Sequence, residues 1–78
     1  MAILKVNLRD VMEKYQSQTG MKMTYDVLAT KTGISKSTLE SIATREDYNT
    51  RLSTILKLCE FFNCQPGELL ELKQVAED

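Results

Sequence analysis

The sequence predicts a small all-α domain of five helices, and three observations lead there. Apolar residues recur at helical spacing in separate blocks along the 78 residues. Each block is bounded by residues of the kinds that start or stop helices. Between residues 25 and 44, two such blocks meet through a tight turn containing Gly33, the pattern of a helix-turn-helix.

Asn7 stands where a first helix would be capped, with Asp10 three residues on as an imperfect capping box. Leu8, Val11, Met12 and Tyr15 then form one apolar face at i, i+3, i+4 and i+7. The pattern dissolves over Gln16-Ser17-Gln18-Thr19, and Gly20 can adopt the left-handed conformation that ends a helix. Thr24 caps a second helix, Tyr25 to Lys31, with Leu28 and Ala29 inward and Gly33 as its stop. Ser35 caps a third, Lys36 to about Thr44, where Ile34 and Leu39 make a hydrophobic staple. Thr50, or Asn49 before it, begins a fourth. Its Leu52, Ile55, Leu56, Cys59 and Phe62 form a stripe that Leu58 and Phe61 widen, so it is expected to be the most buried element. Pro66 suits the first position of a fifth helix after Gln65, and Glu68 suits its positive end. Leu69, Leu70 and Leu72 complete that helix or a terminal strand. Ahead of all of these, Ile3-Leu4-Lys5-Val6 either pairs with Leu70-Glu71-Leu72-Lys73 as a ribbon, within one chain or between two, or packs as coil.

Length and composition limit what such a chain can be. A hydrophobic share of 42% and a charged share of 27% describe an ordinary globular domain, read as one unit over residues 1–78. No apolar run approaches the roughly 18 residues of a membrane span, and the amino end lacks the order of a secretion signal, so a cytoplasmic location is expected. Cys59 and Cys64 have neither metal nor redox spacing and are read as buried reduced thiols; with no histidine, no metal or cofactor is expected. The Met12, Met21 and Met23 side chains read as core and loop filler, Tyr15 and Tyr48 as packing residues. An enzyme is not expected, because no nucleophile–base pair is present and the core is too small to frame a pocket for a small molecule. The net charge is −1, but residues 68–78 hold four acids against Lys73, leaving residues 1–67 with nine cations and seven anions, a net of +2. The acidic excess belongs to a tail expected to be solvated.

A helix-turn-helix imposes residue types, and this stretch meets them. Ala29 is small where the second helix passes the first of the pair, Gly33 tolerates positive φ in the turn, and Leu28, Ile34, Leu39 and Ile42 point inward. Thr32 departs from the larger apolar residue common there, though its methyl can pack. Subtracting the inward face leaves Lys36, Ser37, Glu40 and Ser41 outward on the third helix. At the start of such a helix these side chains meet base edges in a major groove: Lys36 as donor to guanine, Ser37 and Ser41 as donor or acceptor, Glu40 as acceptor from a cytosine amine. Thr24, Tyr25, Ser35, Thr38, Arg45, Asn49 and Arg51 are the candidates for phosphate. Glu46-Asp47 places two negative charges near that side.

The run Leu-Ala-x-x-x-Gly-Ile-Ser-x-Ser-Thr-Leu over residues 28–39 resembles the Cro/C1-type helix-turn-helix of phage repressors and their bacterial relatives, and the likeness extends to Leu8-Arg9 and through residues 52–70. The resemblance implies a five-helix, lambda-repressor-like fold, operator binding to double-stranded DNA, and action as a homodimer that regulates transcription, commonly as a repressor. Three positions depart from it: Ala43 replaces a glutamate that would pair with Arg9, Arg45 replaces a glycine, and Tyr25 replaces a glutamine. Arg9 is then expected to turn to Asp10, Glu13 or phosphate. The alternative is an antitoxin-like protein-interaction module of the same fold with weak or no DNA binding, which the near-neutral charge favours.

Overall fold

The computed structural model describes residues 1–76. Its chain runs β1 (Ala2–Val6), α1 (Leu8–Thr19), α2 (Tyr25–Thr32), α3 (Lys36–Thr44), α4 (Leu52–Phe62), α5 (Pro66–Leu69) and β2 (Leu70–Gln74). The five helices surround one core. Leu8, Leu28, Leu39, Ile42, Leu58 and Leu69 are fully buried, so each of α1 to α5 contributes at least one sealed side chain. Burying a leucine or isoleucine stabilises by about 1.5–3 kcal/mol, which sets these six as the main cohesive force. Met12, Met23, Ile34 and Ile55 fill the space between them, while Met21 stays exposed in the first connection.

The chain ends form a ribbon within one chain. β1 and β2 pair antiparallel from Ala2↔Gln74 to Val6↔Leu70, resolving the choice between ribbon and coil. Val6 and Leu70 face the core side, whereas β2 beyond Leu70 lies open to solvent. The pairing continues at both ends, with Asn7 N–H donating to Leu69 O at 2.7 Å and Val75 N–H to Met1 O at 2.8 Å.

Most helix termini obey their local signals. Thr24 Oγ1 accepts from Val27 N–H, and Gly20 and Gly33 end α1 and α2 at φ 72° and 77°. Thr32 does more than pack its methyl: its hydroxyl donates to Leu28 O at 2.7 Å and accepts from Ile34 N–H at 3.2 Å, bracing the turn. Pro66 opens α5, and Gln65 N–H donates to Glu68 Oε2 at 2.9 Å.

Three expectations are corrected. Asn7 occupies the capping position but its side chain does not cap; with φ −87° and ψ 56° it reaches Glu71 Oε1 on the ribbon at 3.3 Å instead, so the Asn7–Asp10 box does not form. α4 starts one residue or more later than Asn49 or Thr50, with Arg51 as its cap residue. Nor is α4 the most buried element. Ile55 and Leu58 are buried and Cys59 and Phe62 half-buried, but Leu52 is 84% exposed and Leu56 58% exposed, because the core covers only one side of a helix apolar on most of its circumference.

The carboxyl end of α4 is a Schellman closure: Asn63 takes a left-handed φ of 52°, and Cys64 N–H donates to Cys59 O at 3.0 Å. This brings Cys59 and Cys64 together as free, half-buried thiols rather than fully buried ones. Partial burial, reinforced by the neighbouring Cys59, pushes the Cys64 thiol above its ordinary range. Tyr15 packs against Phe61 and Phe62 with ring centroids 5.5 and 5.6 Å away, as expected of a packing residue. Of the tail expected to be solvated, Glu68 and residues 71–74 and 76 are exposed while Leu69 is buried; Glu68 caps α5, Lys73 is ion-paired, and Glu77 and Asp78 lie outside the described residues.

Candidate nucleic-acid interface

α2 and α3 are held at their crossing by Leu28, Ile34, Leu39 and Ile42, all buried, with Ala29 half-buried beside them. Leu39 and Ile42 fix the rotation of α3. Its opposite side then presents Lys36, Ser37, Glu40 and Ser41, together with Thr44 and Arg45, around one open concavity. The subtraction made from the sequence therefore places the four proposed readers on one surface. Thr44 joins them although the spacing argument passed it over; its hydroxyl donates to Glu40 O at 2.7 Å in the free protein.

The charges on this surface are not all idle. Lys36 Nζ bonds Asp26 Oδ2 on α2 at 3.2 Å, with the lysine side chain 50% exposed. An ion pair in solvent is worth about 0–1 kcal/mol, so Lys36 can leave it for another acceptor at little cost. Arg45 lies 6.0 Å from the centre of the Tyr48 ring, at the outer limit of a cation–π contact. Glu46 is engaged within the chain: Lys73 Nζ on β2 donates to Glu46 Oε1 at 2.6 Å. The hydrogen bond and charge of Lys73 keep the Glu46 carboxyl below its ordinary range and raise the Lys73 ammonium in return. One of the two negative charges near α3 is thus neutralised by the ribbon. Arg9 makes no ion pair with Asp10 or Glu13 among the described residues.

Apart from Arg45, which lies on the α3 face, the proposed phosphate ligands divide into two groups. Ser35, Thr38, Asn49 and Arg51 line a polar groove between the starts of α3 and α4, along with Ser53, Thr54 and Lys57, which the sequence reading did not single out. Lys57 was hidden because it interrupts an apolar run; only the packing of α4 shows that it faces this groove. Arg51 provides no side-chain cap; its carbonyl accepts from Thr54 N–H at 3.0 Å, which leaves the Leu52 and Ser53 N–H groups without a cap. Ser35, in contrast, is occupied: its hydroxyl accepts from Thr38 N–H at 3.2 Å and donates to Thr38 Oγ1 at 2.8 Å. Thr24 and Tyr25 sit apart, with Arg9 and Glu13, at the start of α2, and the Thr24 oxygen is engaged in its cap.

A model of the Cro/C1-type helix-turn-helix DNA-binding domain matches residues 7–74. The chain belongs to that family. Among solved structures it is similar to a crystal structure of the transcriptional regulator VanUg, with a TM-score of 0.68 and 24% identity, covering 95% of this chain and 89% of that one. That likeness is one of fold. No curated protein matches. No helix among the described residues is long and apolar enough to cross a membrane.

Proposed function

We propose that the chain is a sequence-specific DNA-binding transcriptional regulator, with residues 1–78 acting as one binding unit. The observation that carries this reading is the open face of α3. It collects Lys36, Ser37, Glu40 and Ser41 on one side of a helix whose other side is locked into the core. Lys36 reaches guanine O6/N7 after leaving Asp26, Ser37 and Ser41 add adaptable hydrogen bonds, and short side chains let α3 seat deeply. The groove of Asn49, Arg51 and Lys57, with the uncapped Leu52 and Ser53 N–H groups of α4, receives the flanking phosphate. Arg45 on the α3 face, and Thr24 and Tyr25 at the separate start of α2, serve as further phosphate contacts.

Action is by occupancy. Two copies place their α3 helices in successive major grooves about 34–36 Å apart on a palindromic site and repress by obstruction. With a net charge of −1, non-specific attraction is weak, so discrimination rests on α3 and affinity falls steeply with salt. Selection of binding sites from random duplex DNA tests this. An enriched palindrome is expected, with Lys36→Ala costing about 1–3 kcal/mol at one position and Arg51→Ala weakening all sequences alike while lowering the salt slope by about one. If the folded protein enriches no sequence at low salt, the regulator reading is wrong and the near-neutral charge points to a protein-interaction module.

A further inference from the structure

The ribbon leaves β2 with an open flank, and its backbone parity defines what that flank can bind. Asn7–Leu69 and Met1–Val75 are hydrogen-bonded to each other within the β1–β2 ladder. Such pairs alternate along an antiparallel ladder, so Glu71 and Lys73 direct their backbone groups toward β1 while Leu72 and Gln74 direct theirs outward. Along the same strand Leu72 is 67% exposed, and Leu4, directly opposite it on β1, is 56% exposed. A two-stranded ribbon of this length is marginal in water and gains from further strands.

We infer that the outer flank of β2 is the self-association surface, where a second copy of this chain adds its own β2 antiparallel about a two-fold axis at Leu72. This rests on the dimeric action proposed above. With that centre, the outward N–H and C=O groups of Leu72 bond those of the partner's Leu72, and Gln74 meets the partner's Leu70. Glu71 then lies opposite the partner's Lys73, and Lys73 opposite the partner's Glu71. These are the non-hydrogen-bonded positions, where facing Cα atoms approach to about 4.5 Å and side chains are closest. Shifting the axis to residue 71 or 73 would put like charges face to face, which is destabilising. The β1 flank lacks such complementarity, because an axis at Leu4 pairs Ile3 with the partner's Lys5. The joined sheet would run β1–β2–β2–β1, with Leu4 and Leu72 of both copies in one apolar row. Lys73 would bridge its own Glu46 and the partner's Glu71.

Charge reversal tests the register. In an E46Q background, which removes the competing contact inside the chain, E71K and K73E are made separately and sedimented alone and mixed. The chain without these reversals is expected to sediment as a dimer. Each variant alone faces like charges and is expected to self-associate about tenfold or more weakly. Their equimolar mixture restores both opposite pairs and is expected to return to the dimer. L72P is the second arm: its N–H points outward, so proline spares the β1–β2 ladder and removes the bonds at the axis. It is expected to be monomeric with an unchanged helical circular dichroism spectrum. A monomeric parent chain, undiminished dimerisation of the single reversals, a mixture that stays monomeric, or a dimeric L72P would each overturn the interface. Site selection is scored separately: a ribbon dimer that enriches no DNA sinks the regulator reading alone, and an enriched site with unaffected reversals sinks the interface alone.

Discussion

Lys36 and Asp26 hold each other across the α2–α3 turn in the free protein. On the proposed reading of DNA by α3, the pair would cost binding twice, by occupying the lysine and by placing a carboxylate beside that face. Asp26→Asn is therefore expected to tighten binding to the selected duplex by about two- to fivefold, the range spanned by an exposed ion pair; unchanged or weaker binding in a duplex titration would show that Lys36 is not the charge being used. Gly33 is a second residue whose role reduces to one number, its φ of 77°. A Cβ there meets nothing within 4 Å, so Gly33→Ala carries only the conformational penalty of about 1–2 kcal/mol. Gly67 has equally open space and no positive φ, and Gly67→Ala is expected to be neutral or slightly stabilising. Chemical denaturation of both variants separates backbone conformation from crowding as the reason for glycine in the turn.

The elements differ in how far they could be read from the chain alone. α2, the turn and α3 were legible because their determinants are local: a cap at Thr24 or Ser35, a stop at Gly33, a staple between Ile34 and Leu39. The outward face of α3 followed by subtraction. α4 was misjudged because apolar side chains cover most of its circumference, and only neighbouring elements decide that Ile55 and Leu58 are covered while Leu52 is not. Asn7 failed as a cap for a related reason: its Nδ2 donates to Glu71, far along the chain, and its backbone at φ −87° and ψ 56° is not in the extended conformation of a cap residue. The ribbon stayed undecided for want of any local signal. Lys57 and Thr44 joined the site only when the helices were placed, since neither residue type nor spacing marks them.

Across the whole molecule, the Glu46–Lys73 contact links the end of the reading helix to the sheet formed by the chain ends. Its pH dependence has a definite sign. Glu46 titrates below its ordinary value in the folded state, so its contribution is present above the unfolded pKa and lost as pH falls through the lower folded one. Lys73 titrates above its ordinary value, so its contribution persists below the unfolded pKa and is lost as pH rises through the folded one. Glu46→Gln is expected to lower the melting temperature slightly across the neutral range, with the gap to the parent closing below about pH 4. A gap that stays constant into acid would mean that the contact contributes nothing to stability.

That ribbon joins residues from opposite ends of the chain, Ala2 with Gln74 and Val6 with Leu70. Helices form from near neighbours within microseconds, whereas a pairing that spans nearly the whole sequence waits for everything between to fold. The outward amides of β2 therefore acquire their fixed alignment last. On the proposed interface, a chain whose helices have not yet packed would lack a competent edge and stay solitary. In the proposed dimer, self-recognition would report that folding has finished, and the coupling of two reading heads would be withheld from any molecule whose own head is not yet assembled.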